Sequence, residues 1–291
     1  MKNLFIVLFL LTFSIFAQDK VNNPEITSSE IKSHLQYLAS DEMKGRFSGS
    51  PEEKKAAEYI KQQFESYGLK PIFNGKWFQE FPFIEKVEMT KKNSFNIVSP
   101  SKKSLKPFID YVALGFSGST KIKSEVVFVG YGISAPKLNY DDYEGIDVKG
   151  KIVIALKNHP EHDSSKSEFE KFISLRYKAN TAKEKGALGI IFVNGYYPKN
   201  DDQLPNPKYD GAPAMKDFAV LQITREIFDN ILKNQNLSLE KIQKQIDDTK
   251  KPNSILLEKI KVDVTTEVKE IEKRATNVGG YLEGNDPNLK N

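Results

Sequence analysis

The sequence predicts an α/β domain that is interrupted by a second, strand-rich module. Two amphipathic helical patterns open the chain after residue 26, and short, continuously apolar runs typical of buried strands occupy its middle. The last forty residues return to a strand pattern. A chain of 291 residues, 39% apolar and 28% charged, is long enough for one large or two ordinary domains with a real core.

The two opening helices have clear start and stop signals. Thr27 and Glu30 form a capping-box pattern for the first helix, which we expect to end near Ser40. Ser50 is the predicted N-cap of the second helix, with Pro51 at its first position. Gly68 supplies a left-handed C-cap after it.

The remaining elements follow from periodicity and β-branched content. Further helices are predicted over residues 168–185, 225–233 and 239–246. Strands are predicted within residues 72–98, 125–132, 152–156, 188–193, 219–223 and 255–282.

Two polar connectors set the predicted domain limits. Residues 99–107 are rich in lysine and serine, and residues 247–253 are polar and contain Pro252. We therefore predict an amino-terminal piece over 18–107, an inserted domain over 108–250 and returning strands over 251–291.

The first seventeen residues have the pattern of an export signal. Lys2 precedes an apolar run from Leu4 to Phe16, and Ala17 offers a small residue for cleavage. The run is shorter than the ~20 residues that a membrane-spanning helix needs, and a retained anchor is the alternative interpretation. We expect an exported protein, with no membrane attachment after cleavage.

Composition excludes several kinds of site and partner. The chain has no cysteine, which excludes disulfides and zinc–thiolate sites. Its formal net charge of +4 comes from interspersed basic and acidic residues, without the basic stripe that nucleic-acid binding needs. We predict no nucleic-acid partner.

Three segments, in order along the chain, resemble secreted zinc aminopeptidases of metallopeptidase family 28. The first contains Leu38–Glu42, Gly45-Arg46 and a helix opening at Gly49-Ser50-Pro51. The second resembles the protease-associated (PA) domain that many of these enzymes carry as an insertion, and it comprises residues 127–132, 141–143, 148–153 and 185–191. The third is Thr276 to Pro287, similar to the family's segment just before the strand that carries the first metal ligands.

The resemblance implies a three-layer α/β/α core, interrupted by the PA domain, whose central sheet holds two zinc ions. In such an enzyme histidine and carboxylate ligands hold the metals, and a carboxylate acts as general base. The family's ligands lie beyond the segment matched by the final residues here, so the core is expected to be incomplete. We assign no catalytic, cofactor-binding or metal-binding residue and expect no cofactor in this chain.

The three histidines of the chain differ as candidate metal ligands. His34 falls within the first helix and is interpreted as structural. His159 and His162, with Glu161 and Asp163, offer two imidazoles and two carboxylates within five residues. Pro160 prevents a helix that would align them, so a polar surface loop is the favoured interpretation and a metal site the alternative.

Three other motifs have ordinary interpretations. Asp41-Glu42 with Arg46 is a helix-terminal charge cluster rather than a catalytic pair. The residues 130–132, Gly-Tyr-Gly, are not followed by the helix start that a phosphate-binding loop needs. The residues 195–198, Gly-Tyr-Tyr-Pro, are an exposed turn that offers a possible peptide contact.

Two functions of different classes remain open at this point. The first is the amino-terminal portion of an exported zinc aminopeptidase, inactive alone. The second is a non-catalytic secreted module that binds peptides or proteins through its PA domain.

Overall fold

A computed structural model of the protein describes residues 26–164, 166–199 and 201–284. The predicted export signal and the last residues of the third motif lie outside the described residues. None of the helices in these ranges is long and apolar enough to cross a membrane.

The described residues form five α-helices and fourteen strands. The α-helices are α1 (Ser28–Leu38), α2 (Pro51–Ser66), α3 (Leu175–Glu184), α4 (Arg225–Lys233) and α5 (Leu239–Thr249). The strands up to residue 129 are β1 (Lys70–Pro71), β2 (Phe78–Met89), β3 (Ser94–Ser99), β4 (Lys103–Leu105), β5 (Tyr111–Ala113) and β6 (Thr120–Val129). The later strands are β7 (Ser134–Ala135), β8 (Tyr140–Asp141), β9 (Ile152–Leu156), β10 (Gly189–Val193), β11 (Ala219–Ile223), β12 (Ser254–Thr266), β13 (Val268–Val278) and β14 (Gly280–Tyr281).

The chain divides into two compact units. One comprises the described residues up to Phe81 and those from Arg274 onward, and the other comprises Pro82–Lys273. The second unit therefore extends beyond the predicted insertion at 108–250 on both sides. The physical reason is strand pairing, because β3, β4 and β12 lie outside those limits yet belong to the same sheet as the central strands. The predicted limits of the PA domain itself stay a prediction.

The first unit contains the two capped helices. The Thr27 side chain accepts a hydrogen bond from the Glu30 backbone N–H, and the Glu30 carboxylate accepts one from the Thr27 backbone N–H. Ser50 caps α2 through the Glu53 backbone N–H, with Pro51 at the helix start, as predicted. Helix α1 buries none of its residues. Both cap signals are confirmed, although the apolar residues of α1 stay exposed.

The second unit is built around an eight-stranded sheet. Its strand order is β4–β3–β12–β6–β9–β10–β11–β5. The four central strands β6, β9, β10 and β11 are parallel to one another, and the strands on either side are antiparallel to their neighbours. Because parallel strands need both faces covered, this sheet requires a helical layer on each side.

Two apolar clusters, one on each face, supply those layers. One cluster contains the apolar residues of α4 and α5, including Phe228, Leu232 and Ile246. The other contains Ala179 and Ala182 of α3. The strands β9, β10 and β11 are buried along their whole length, which explains why they read as continuous apolar runs.

One predicted helix is divided in two. Residues 168–185 contain a short 3-10 helix over Glu168–Phe172 and then α3, which begins only at Leu175. Ser174 interrupts the helical pattern because its hydroxyl accepts a hydrogen bond from the Tyr177 backbone N–H as an N-cap. The predicted connector at 247–253 likewise begins later, since α5 continues to Thr249.

Candidate functional site

The three histidines lie in separate surroundings. His34 is held by two tyrosine hydroxyls, with its Nδ1 2.6 Å from Tyr59 Oη and its Nε2 3.1 Å from Tyr67 Oη. This agrees with the structural interpretation. The cluster formed by Asp41, Glu42 and Arg46 lies in a 3-10 helix.

The expectation of a polar surface loop is wrong for His159. Its side chain is buried, with 2% of the residue exposed, and its ring stacks on Phe169. Nε2 lies 3.2 Å from Glu170 Oε1, and Nδ1 accepts a hydrogen bond from the Glu161 backbone N–H. The ring of Phe169 covers the ring of His159. The sequence predicted a helix at Phe169 but did not indicate which residue its ring contacts.

The described residues do not fit a pair of zinc ions. No group of three or more histidine and carboxylate side chains lies close enough together to hold a metal in the ranges that the structure describes. Both nitrogens of His34 and of His159 are already engaged by neighbouring protein groups.

Polar chemistry is concentrated instead at one edge of the large sheet. Strands β6, β9, β10 and β11 are parallel, so their carboxyl ends meet at one edge. In open α/β sheets ligands bind outside the carboxyl ends of the strands. Four buried polar residues, Asp142, His159, Gln222 and Gln243, lie on or contact the strands and loops here, together with the buried amine of Lys178. We call this region the carboxyl edge.

Asp142 organises the loop that follows β6. Its Oδ2 accepts hydrogen bonds from the backbone N–H groups of Tyr131 and Ile133 at 3.1 and 3.0 Å, and its Oδ1 accepts one from the Tyr140 hydroxyl at 2.9 Å. Burial raises the pKa of Asp142 to about 7, while the hydrogen bonds and the charge of Lys178 oppose that shift. A single carboxylate thus fixes the turn at the end of β6.

Gly130 makes this close approach possible. It has a φ of 46°, and a Cβ added there would overlap Asp142 Oδ1. Gly150 has a φ of 71° but open space around it. It is therefore a matched control for backbone strain.

We expect Gly130→Ala and Gly150→Ala each to lose about 1–2 kcal/mol of unfolding free energy through the left-handed backbone. Gly130→Ala should lose a further ~1–3 kcal/mol, because a buried, hydrogen-bonded carboxylate cannot move aside. Urea unfolding followed by circular dichroism measures both. Equal losses would show that Asp142 does not require glycine at this position.

Lys178 forms hydrogen bonds with the end of β9 and with the loop that follows it. Its ammonium donates hydrogen bonds to the carbonyl oxygens of Leu156 and Asn158, at 3.0 and 2.5 Å, and lies over the Tyr131 ring. Burial lowers the pKa of Lys178 to about 7, and the nearby charge of Asp142 opposes that shift. Lys178 and Asp142 are therefore both buried, and hydrogen bonds to backbone groups hold each side chain in place.

Helix α5 joins the loops after β6 and β10. Gln243 Oε1 accepts hydrogen bonds from the backbone N–H groups of Tyr196 and Tyr197, and its Nε2 donates to the Tyr197 carbonyl at 2.6 Å and to the Tyr131 hydroxyl at 3.0 Å. The Tyr131 hydroxyl in turn donates to Asp247 Oδ1 at 2.6 Å. Burial raises the pKa of Asp247, against the effect of the Tyr131 hydrogen bond.

The same helix also holds the loop after β9. His162 Nε2 lies 3.2 Å from Asp247 Oδ2, and the Lys250 ammonium donates to the Pro160 carbonyl at 2.6 Å. Three loops from three parallel strands are thus fixed against α5 by buried or half-buried polar groups. This arrangement joins the three loops at the carboxyl edge.

An open cleft of ≈ 290 Å³ lies on this junction. Its walls combine an aromatic ring, a proline and charges of both signs, from Pro160, His162, Asp163, Tyr197, Lys244, Asp247, Asp248 and Lys250. Such a mixture suits a ligand that has both apolar and hydrogen-bonding surface. His162 and Tyr197 belong to segments that the sequence singled out, but a binding role was the alternative and not the favoured interpretation of either segment. The sequence did not indicate that Asp247 and Gln243 belong to the site, because the residues that they contact are 46 to 116 positions away.

The middle of the chain matches a known domain family. Residues 122–231 match the PA domain. No curated protein matches the chain. The matched residues include β9, β10, β11 and α3 and nearly all of β6 and α4, and therefore most of the carboxyl edge.

The solved structures similar to this chain include aminopeptidases. An aminopeptidase from Aneurinibacillus sp. strain AM-1 is 24% identical, with a TM-score of 0.48, over 91% of this chain and 50% of its own. BSAP, a zinc aminopeptidase from Bacillus subtilis, is 15% identical, with a TM-score of 0.39, over 84% and 44%. A peptidase M28 precursor from Shewanella amazonensis SB2B is 16% identical, with a TM-score of 0.37, over 86% and 52%.

The chain is an α/β protein whose residues 122–231 match the PA domain, and the solved structures similar to it include zinc aminopeptidases. It spans about half the length of the solved structures that it matches.

Proposed function

We propose that this chain is the PA-bearing, amino-terminal portion of an exported zinc aminopeptidase and that its own task is to bind peptide or protein. The match of residues 122–231 to the PA domain carries this proposal. The three ordered motifs of the sequence support the aminopeptidase part, and the signal pattern over residues 1–17 supports export.

We further propose that the 291-residue polypeptide does not hydrolyse peptides by itself. A two-zinc reaction needs a cluster of histidine and carboxylate ligands around a metal-bound hydroxide. The chain has three histidines, two of them engaged on both ring nitrogens by protein groups. These residues offer no shared site for two metals.

A second candidate is a free-standing PA-domain module that binds partners without any peptidase. The complete sheet of the second unit, covered on both faces, favours it. The two candidates differ in what they require, because the first needs a catalytic domain to act on the bound peptide.

The test uses the purified 291-residue chain with added zinc chloride. We expect no release of p-nitroaniline from a panel of aminoacyl-p-nitroanilides, while an active zinc aminopeptidase in the same buffer serves as the positive control. We expect measurable binding of a terminally labelled pool of random pentapeptides by fluorescence anisotropy. Hydrolysis together with two equivalents of tightly bound zinc would overturn the proposed inactivity, and absence of peptide binding would overturn the binding role.

A further inference from the structure

The turn that joins β4 to β5, residues 106–110, carries an exposed apolar pair. Phe108 is 57% exposed and Ile109 is 65% exposed, and no other large apolar residue that the structure describes in the Pro82–Lys273 unit is as exposed. Single exposed apolar residues need no explanation, but neighbouring ones form a patch of the kind that marks contact surfaces. The turn lies outside residues 122–231, so the match to the PA domain does not account for it.

The backbone of this turn is strained at its aromatic residue. Phe108 has a φ of 61°, in the left-handed region that glycine and asparagine adopt most readily. Its N–H donates to the Tyr111 carbonyl at 2.8 Å, and the Lys106 N–H donates to Asp110 Oδ2 at 2.7 Å, so the turn is held in this form. A phenylalanine here costs stability while more than half of it stays in water, and such strain points to a function.

Three lysines come directly before the apolar pair. They are Lys102, Lys103 and Lys106, and all three are exposed. None of them forms an ion pair within the part of the chain that the structure describes. The sequence indicated only a polar connector here, but the fold places these ammonium groups at the foot of an exposed apolar turn.

Acidic residues reduce this positive charge without cancelling it. Asp110 belongs to the turn, and its carboxylate accepts the backbone N–H of Lys106. Glu226 is exposed in the first turn of α4, which begins beside the β4–β5 turn because the Thr224 N–H donates to the Asp110 carbonyl at 3.0 Å. Three lysines against two carboxylates leave the region positive, so it complements an anionic surface.

We propose that the β4–β5 turn inserts Phe108 and Ile109 into the interface of an anionic phospholipid bilayer, with the three lysines against the lipid head groups. Two side chains cannot supply the area of a stable protein interface, whereas lipid accepts apolar groups without a matching shape. Lysines close to an anionic leaflet add attraction that salt screens. This peripheral contact goes beyond the peptide-binding role, and it differs from the sequence-based expectation of no membrane attachment after cleavage.

The test is co-sedimentation with sucrose-loaded vesicles, made of phosphatidylcholine alone or of phosphatidylcholine and phosphatidylglycerol in a three-to-one ratio. The protein is the chain from residue 18 onward, the form expected after export, because the apolar run Leu4–Phe16 would itself enter lipid. We expect binding to the mixed vesicles, and about tenfold weaker binding to phosphatidylcholine alone or to the mixed vesicles in high salt.

Two variants separate the apolar and electrostatic parts. Phe108→Asn with Ile109→Ser should weaken binding to the mixed vesicles about tenfold or more. Asparagine tolerates the left-handed backbone, so this variant should be at least as stable as the wild type in urea, which excludes unfolding as the cause. Glutamine at the three lysines of the turn should weaken binding to the mixed vesicles about tenfold and leave binding to phosphatidylcholine alone unchanged.

Two controls make the same changes elsewhere. Glutamine at the exposed residues Lys137, Lys208 and Lys216 removes an equal net charge. Glutamine at Ile31 and Leu35 removes two aliphatic side chains that are 50% and 61% exposed. Both controls should bind the mixed vesicles like the wild type.

The outcomes are independent of the peptide-binding role, which the anisotropy assay measures. No binding of the wild type to the mixed vesicles, or wild-type binding by the Phe108→Asn, Ile109→Ser variant, overturns the proposal. An equal loss in the lysine control would assign the effect to net charge, and a loss in the Ile31 and Leu35 control would assign it to α1. Either result also overturns the turn as the lipid-binding site.

Discussion

Replacing Asp142 with alanine is expected to lower the unfolding free energy of the Pro82–Lys273 unit by about 3–5 kcal/mol, because three buried donors lose their acceptor at about 1–3 kcal/mol each. The change removes the acceptor of two backbone N–H groups and of the Tyr140 hydroxyl, all of which are buried. It also removes the nearby charge that opposes the lowering of the Lys178 pKa. A buried donor that loses its acceptor keeps its full desolvation cost, so the loss exceeds the net contribution of the hydrogen bond itself.

Hydrogen exchange of the Ile152–Leu156 amides measures this loss, because β9 lies at the centre of the sheet. Asp142→Asn should fall between the wild type and alanine, since the amide oxygen still accepts from the backbone. Asp248→Ala serves as the control, since Asp248 pairs with Lys244 through two exposed side chains and should leave exchange unchanged. An alanine variant with wild-type protection would show that Asp142 is not the organising group of the loop after β6.

The contrast between Asp142 and the helix caps shows what the sequence could predict. Thr27 and Ser50 act on residues three positions away, so their roles follow from local spacing. The strand Ala219–Ile223 was predicted at its observed bounds because a fully buried parallel strand has its own compositional pattern. These features depend on neighbours in the chain.

The carboxyl edge depends on distant residues, and the sequence predicted it poorly. Gln243 meets Tyr131 across 112 positions, and Lys178 meets the end of β9 across about twenty. Nothing near Lys178 indicates that its ammonium is buried, since the residues around it form an ordinary amphipathic helix. His159 was expected on the surface for the same reason, because the Phe169 ring that stacks on it belongs to another element.

The strand order of the large sheet explains why the unit Pro82–Lys273 extends beyond the predicted insertion at 108–250. Composition changes at the polar connectors, so the sequence placed domain limits there. Pairing of β12 with both β3 and β6 brings residues from either side of those connectors into one sheet. A polar connector therefore marks a loop between strands as readily as a boundary between domains.

The second large effect is expected from the uncovered face of α1. Ile31 and Leu35 lie one turn apart and are 50% and 61% exposed, and Ile26, Tyr67 and Leu282 extend the same apolar surface within the first unit. A capped amphipathic helix without a single buried residue leaves apolar area in water, at roughly 25 cal/mol per Å². Such a surface promotes self-association.

We therefore expect the wild-type chain to associate at concentrations at which the double variant Ile31→Gln, Leu35→Gln stays monomeric. Removing two half-exposed aliphatic side chains should weaken association about tenfold or more, corresponding to roughly 1–3 kcal/mol of apolar contact. Sedimentation velocity over a concentration series measures the change. The matched control, Ser29→Gln with Lys32→Gln, alters exposed polar positions of the same helix and should associate like the wild type. If the control and the double variant associated equally, the apolar face of α1 would not govern the self-association of this chain. Net charge or another surface would govern it instead.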